Sequence, residues 1–154
     1  MLDFPEPYLL APSSLTPTAL RERAELLLTV TDPTVVDEVP VGGAVELRGN
    51  FLYDAWLVRL GPDAASDLHA HEHGFGTVAV VSGALRETRA SREGLDERVV
   101  TAGEMVSTRP GDTHRLTVEG DGAVAVYLAS PPRGAAPRIV TTATSVPVVP
   151  AAVV

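Results

Sequence analysis

The chain has 154 residues and a formal net charge of −8 at pH 7, and it contains no cysteine. That length suits one domain, and the negative charge argues against nucleic acid or an anionic membrane surface as a partner. The absence of cysteine excludes disulfides, thiolate metal sites and a thiol nucleophile.

The first residues, MLDFPEPYLLAPSS, lack the basic stretch and the long apolar run of a secretory signal. No stretch of the sequence reaches the roughly 18 apolar residues that a membrane span requires. We therefore expect a cytoplasmic protein.

Residues 16–30 predict one amphipathic helix. Thr16 is a suitable N-cap, and Pro17 suits the first helical position. Apolar residues recur along one side of this segment, at Leu20, Ala24, Leu27 and Leu28. We expect the helix to dock on the outside of a core, and the following residues, 31–43, to form a connector with one short strand.

From Val45 onward the sequence changes to short runs rich in β-branched residues, separated by turns that contain Gly and Pro. This pattern predicts an all-β fold, an antiparallel sandwich or barrel, with its core at about residues 45–132. The Pro-, Ala- and Val-rich tail, residues 131–154, predicts an edge strand near Arg138–Thr142 and a loosely held end. We expect the whole chain, residues 1–154, to form a single domain.

All four histidines lie in two short segments, HAHEH at residues 69–73 and RPGDTHRL, which contains His114. Residues two apart on a strand point to the same face, so His69 and His71 are able to direct both imidazoles into one barrel interior. Three neutral imidazoles that converge in a pocket favour a divalent cation, and imidazole suits iron, zinc, copper or nickel. A solvated histidine patch is the alternative interpretation.

The spacing of these histidines and of the glycines around them resembles the two motifs of the cupin superfamily. The residues that match are Gly61, His69, His71, Gly76 and Gly83 for the first motif, and Gly103, Pro110, Gly111 and His114 for the second. The resemblance implies a double-stranded β-helix barrel with a metal in its mouth, held by His69, His71 and His114. Gly76 stands where many cupins carry a glutamate ligand.

Within the cupins, a three-histidine site without a carboxylate resembles the thiol dioxygenases, and the cysteine dioxygenase family in particular. The stretch YDAWLVRLGPDAASDLHAHEHGFGTVAVVSGALRET, residues 53–88, resembles its bacterial members. The resemblance implies Fe(II) as the cofactor, with zinc or nickel as alternatives. It also implies that a small carboxylate-bearing thiol, such as cysteine, reacts with O₂ to give a sulfinate.

The chain departs from that family in its last barrel strand. The family carries an alternating Ser-x-His-x-Tyr before Ser-Pro-Pro, and the matching positions, counted back from Ser130, are Ala125, Tyr127 and Ala129. Tyr127 keeps a hydroxyl on the same side of the strand and is the candidate catalytic residue, with a core-filling phenol as the alternative. Because losing such hydrogen-bonding partners commonly costs on the order of 10–100-fold in activity, the departure indicates a different substrate or a changed function.

The family also binds the substrate carboxylate with an arginine, and the candidates here are Arg48 and Arg59. A guanidinium holds a carboxylate through two parallel hydrogen bonds. Tyr53 is a further candidate for the cavity mouth; solvated arginines and a packed tyrosine are the alternatives. The count from Gly76 to Gly83 favours the first two histidines as ligands, which leaves His73 near the rim.

The leading interpretation is an Fe(II)-dependent dioxygenase that acts on a small molecule and O₂. We expect a monomer or homodimer, with neither nucleic acid nor a membrane as partner. Two alternatives stay open. One is a three-histidine dioxygenase that cleaves carbon–carbon bonds, and the other is a cupin that binds a ligand or metal without turnover.

Overall fold

The computed structural model describes residues 14–66, 69–70 and 73–141. Within these residues the chain forms two α-helices and nine strands, and every strand pairing is antiparallel. The elements are α1 (Pro17–Val30), α2 (Pro33–Glu38), β1 (Ala44–Gly49), β2 (Asp54–Leu60), β3 (Ala64–Ala65), β4 (His69–Ala70), β5 (Phe75–Ser91), β6 (Gly94–Thr101), β7 (Met105–Thr108), β8 (Thr113–Ser130) and β9 (Val140–Thr141). The predicted all-β fold is confirmed.

The first helix begins as the sequence predicts. The Thr16 hydroxyl oxygen accepts a hydrogen bond from the backbone N–H of Ala19 at 3.1 Å, and Pro17 occupies the first turn. A side-chain acceptor at the N-cap satisfies one of the donors that a helix start leaves unpaired. The apolar side of α1 is buried, and complete burial of Leu20 stabilises the fold by about 1.5–3 kcal/mol.

The short strand predicted within residues 31–43 is wrong, because the central part of this connector is helical. The Asp32 carboxylate accepts a hydrogen bond from the backbone N–H of Thr34 at 2.9 Å, and Pro33 follows the cap. This N-cap and proline signal outweighs the strand preference of Val35 and Val36.

Two long strands, β5 and β8, pair along most of their length and form the frame of the barrel. Their register runs from Phe75 opposite Ser130 to Arg89 opposite His114. It shifts near Gly83, where the backbone adopts a positive φ of 76°. Such bulges bend strands, so the two halves of β5 are able to pair with β7 and β6 in turn.

Alternate residues of the strands pack into two apolar clusters, as the period of two requires. The inner cluster lies within the barrel and includes Val58, Leu60, Val80, Leu85, Val106 and Ala125. The outer cluster joins α1 to the other side of β2, β5 and β8, and it includes Leu20, Ala24, Leu57, Ala79, Val126 and Leu128. The residues of β2 and β8 that face the inner cluster therefore form the wall of any internal site.

The chain returns to the sheet after β8. The strand β9 pairs with β3, Val140 lying opposite Ala65, so the edge strand predicted near Arg138–Thr142 is confirmed. The rest of the predicted loose tail, residues 142–154, lies outside the described residues. Neither helix in the described ranges has the length and apolar character needed to cross a membrane.

Candidate metal centre

The barrel contains a partly open cavity of about 730 Å³. One side of it is formed by strand residues, among them Trp56, His114 and Tyr127. The segment that follows β8, residues 131–141, supplies another side through Arg133 and Arg138 among others. A cavity of this size accommodates a small organic molecule.

The backbone register places His69 directly opposite His114, on the paired strands β4 and β8. The two histidine segments of the sequence are therefore neighbours in the fold. His71 lies outside the described residues, and His69 is described by its backbone alone. In the part of the chain whose side chains are described, no group of three metal-binding side chains occurs, so the complete ligand set stays a prediction.

His114 is buried and lines the cavity, with only 2% of its surface exposed. Its ring nitrogen Nδ1 lies 2.9 Å from Oε2 of Glu87, a carboxylate that is 3% exposed. Because an ionised carboxylate only accepts hydrogen bonds, the N–H of Nδ1 is the donor in this contact with Oε2. The other ring nitrogen, Nε2, does not take part in this contact with Glu87.

Glu87 is held in its ionised form by the groups around it. Burial opposes the charge and would raise the pKa of Glu87, but hydrogen bonds from His114 and Arg89, together with the positive charge of Arg89, lower that pKa to about 2. Arg89 donates to Oε2 at 2.9 Å, and Nε of Arg98 donates to Oε1 at 3.2 Å. Both carboxylate oxygens are therefore satisfied.

Glu87 was not among the site residues predicted from the sequence. A single glutamate in the stretch ALRETR resembles a solvated position, and its partners lie far from it in the sequence. The available signal was parity: Leu85 and Glu87 are two apart on β5, and Leu85 belongs to the inner cluster. An acidic residue on the inward face of a strand needs buried partners.

The three positions that depart from the family pattern all lie on the inward side of β8. Ala125 belongs to the inner cluster, while Tyr127 and Ala129 line the cavity. Tyr127 lies opposite Trp56 on β2 and opposite Val78 on β5. Removal of its hydroxyl from bulk water raises the pKa of Tyr127 well above the ordinary value, so the hydroxyl remains protonated.

The other predicted substrate-binding residues lie away from the described lining of the cavity. Arg59 faces the side of the helices, where its guanidinium donates to the backbone oxygen of Val39 at 3.1 Å. Arg48 is exposed on β1, where a shift in register pairs it with Ala55. Tyr53 packs against the outer cluster. The structure therefore does not bring these three residues to the candidate metal centre.

Two other arginines, Arg133 and Arg138, contribute to the cavity lining. They were missed because they lie in the Pro- and Ala-rich tail, where the sequence gives no strand pattern to orient them. His73 also lines the cavity and is exposed. Asp54 is the acidic residue of the described lining, and it accepts hydrogen bonds from the backbone N–H groups of Arg133 and Gly134.

Comparison with known proteins supports the same fold. Residues 56–130 match the protein-family model described as "Cupin domain". No curated protein matches the sequence.

Several solved structures resemble the chain. Oxalate decarboxylase from Lactobacillus farciminis, in a formate complex, is 21% identical with a TM-score of 0.52, and the match covers 64% of this chain and 31% of that one. KdgF from Halomonas sp. is 18% identical with a TM-score of 0.54, covering 60% and 80%. A mutant of Bacillus subtilis oxalate decarboxylase OxdC is 22% identical with a TM-score of 0.52, covering 64% and 28%. The match spans about a third of the length of the oxalate decarboxylases, and at these identities the likeness shows the fold alone.

Proposed function

Because residues 56–130 match a cupin-domain model and the chain has the matching fold, we propose that the chain is a metal-dependent dioxygenase of the thiol dioxygenase type. The reaction joins a small thiol and O₂ to give a sulfinic acid, RSH + O₂ → RSO₂H, so no separate reductant is required. The cofactor would be Fe(II), and its ligands would be His69, His71 and His114. The observation that carries the proposal is the buried imidazole of His114, fixed by a carboxylate at the wall of a cavity.

The residues at this wall fit a metal. Ligating histidines characteristically donate their second ring N–H to a carboxylate or carbonyl, as His114 does to Glu87. The backbone of His69 lies opposite that of His114 on the paired strands β4 and β8, which supports a shared site for the two histidine segments. Imidazole is a suitable ligand for iron, zinc, copper and nickel. When bound, Fe(II) would lower the pKa of the thiol and hold both reactants together.

The cavity supports an anionic substrate of small size. Arg133 and Arg138 supply positive charge to its lining, although the chain as a whole carries a formal net charge of −8. Asp54, the carboxylate among the described lining residues, already accepts two backbone hydrogen bonds. A thiol that carries a carboxylate therefore meets a favourable electrostatic environment.

Tyr127 is the proposed hydroxyl donor to the bound substrate. Burial raises the pKa of Tyr127, so its hydroxyl stays neutral and is able to donate a hydrogen bond to a thiolate or to an oxygen atom. The alanines at positions 125 and 129 have no hydrogen-bonding side chain. Substrate orientation in this chain would then depend on Tyr127 and on the residues of the C-terminal segment.

The direct test is O₂ consumption by protein reconstituted anaerobically with Fe(II), with cysteine, 3-mercaptopropionate and cysteamine as substrates. We expect uptake of one O₂ per sulfinate formed, with the carboxylate-bearing thiols preferred to cysteamine. Replacement of His114 by Ala should abolish uptake. Absence of thiol-dependent uptake from iron-loaded protein would contradict the proposed activity.

A non-catalytic metal-binding cupin is the second candidate. The observation that favours it is the pair of alanines, Ala125 and Ala129, on the inward side of β8, because they leave fewer side chains able to orient a reactant. This candidate predicts stoichiometric binding of zinc or nickel with no O₂ uptake for any thiol.

A further inference from the structure

Glu87 is an ionised carboxylate inside an apolar barrel. It lies on β5 beyond Leu85, is 3% exposed, and therefore gives up nearly all of its contact with water. Burial of a charged carboxylate is costly unless hydrogen bonds and opposite charges compensate for the lost hydration. A buried, ionised Glu87 therefore requires hydrogen-bond donors and positive charges close to its carboxylate.

The compensating groups come from three strands. The register pairs Glu87 with Arg98 on β6 and Arg89 with His114 on β8. Oε2 of Glu87 accepts from Arg89 at 2.9 Å and from Nδ1 of His114 at 2.9 Å, while Oε1 accepts from Arg98 at 3.2 Å. The carboxylate cannot rotate without losing at least one charge-assisted hydrogen bond.

Arg89 is itself fixed on its other side. Its second terminal nitrogen donates to the carboxylate of Asp112 at 3.0 Å, and the nitrogen that contacts Glu87 also donates to the backbone oxygen of Ser107 at 2.9 Å. Asp112 in turn accepts from the backbone N–H of Arg109 within the turn before β8. The orientation of Glu87 is thus tied, through Arg89, to the backbone of β7 and to the turn that precedes β8.

We propose that Glu87 is a positioning residue that fixes the ring orientation and the Nδ1–H tautomer of His114, so that Nε2 faces the metal. This inference rests on the proposed metal-dependent function. The supporting network lies on β5, β6 and the β7–β8 turn, whereas the inward positions 125 and 129 of β8 carry alanine. In this proposal the metal centre is tuned by the hydrogen bond from a ligand, His114, to Glu87, and not by side chains at positions 125 and 129.

The first measurement uses the wild-type protein without metal. Nitrogen NMR of the imidazoles, with His114 assigned by comparison with His114→Gln, reports which ring nitrogen carries the proton. We expect the Nδ1–H tautomer for His114, in contrast to a solvent-exposed histidine such as His73. An Nε2–H tautomer for His114 would overturn the inference.

The second measurement compares the affinity for Zn²⁺ and the visible absorption of bound Co²⁺ in Glu87→Gln and wild type. Glutamine keeps the size of the side chain but removes its charge, so we expect Zn²⁺ affinity to fall on the order of 10–100-fold and the Co²⁺ spectrum to change. The matched control is Glu119→Gln, which removes one exposed carboxylate paired with Arg86 on the same pair of strands. The control should bind Zn²⁺ as the wild type does.

The outcomes separate the two proposals. If wild-type protein binds Zn²⁺ but Glu87→Gln binds it within about twofold of wild type, the positioning role is wrong and the metal site stands. If wild-type protein binds no metal, the proposed function fails. If Glu87→Gln does not fold, the tautomer of His114, which is measured in the wild-type protein, still tests the role of Glu87.

Discussion

Oδ2 of Asp54 accepts a 2.9 Å hydrogen bond from the backbone N–H of Gly134, which lies 80 positions later in the chain. The same oxygen accepts from the backbone N–H of Arg133 at 3.0 Å. Asp54 is buried at the start of β2, and the segment that it holds forms part of the cavity wall. One carboxylate thus anchors the C-terminal segment to the barrel.

Replacement of Asp54 by Ala should loosen this segment. Two backbone donors lose their acceptor, so we expect the free energy of unfolding to fall by about 1–3 kcal/mol. Tryptic cleavage after Arg133 should also become faster, because local opening of the segment becomes easier. The control is Asp96→Ala, at an exposed position of β6, which should change the unfolding free energy by less than about 0.5 kcal/mol. Equal cleavage rates in both variants would contradict the anchoring role.

Tyr127 should remain protonated at a pH at which ordinary tyrosines ionise. Since burial raises its pKa, the folded state keeps the proton while the unfolded chain loses it near the ordinary value of about 10. The stabilising contribution of the neutral phenol is therefore complete below that value and is lost as the pH rises above it. The measurement is the tyrosinate absorbance of folded wild type and Tyr127→Phe. The increase in tyrosinate absorbance near pH 10 should be the same in both proteins, because Tyr127 does not ionise there. A smaller increase in Tyr127→Phe would contradict the prediction.

Gly83 should tolerate no side chain. It lies at the register shift of β5 with φ at +76°, and an added Cβ would meet the backbone oxygen of Gly122 and lie 2.9 Å from Cα of Ala123. Left-handed strain and backbone overlap together predict a loss of about 2–5 kcal/mol in unfolding free energy for Gly83→Ala. Gly103→Ala is the matched control, because φ there is +89°, close to that of Gly83, and no atom lies within 4 Å of the added Cβ. Only strain, about 1–2 kcal/mol, is expected there. Urea denaturation that gave equal losses would show that the close approach at Gly83 has no energetic effect.

The fold was predictable where local signals agree with the tertiary contacts. Thr16 and Pro17 mark the start of α1, and β-branched runs between Gly and Pro turns mark the sheet. The helix α2 was missed although Asp32 and Pro33 repeat the same signal, because two valines in six residues suggested a strand. Short elements give too few residues for their apolar period to decide between helix and strand.

The site was less predictable because its geometry depends on register. A bulge between Glu46 and Arg48 changes the face of the sheet on which Arg48 lies. No local sequence pattern predicts this bulge. Glu87 finds its partners on β6 and β8, 11 and 27 positions away, so its role appears only when the strands are paired. The neighbouring positions of the two histidine segments, by contrast, agree with the cupin resemblance, which implies that both segments contribute ligands to one metal.

The most direct test of the central claim is the metal stoichiometry of the purified protein and of single alanine variants at each histidine. A metal centre held by His69, His71 and His114 predicts one equivalent of Fe(II) or Zn²⁺ for the wild type and for His73→Ala, and weak or no binding for His69→Ala, His71→Ala and His114→Ala. Binding that persists without His114, or that is lost only without His73, would contradict a metal centre built on the paired strands β4 and β8.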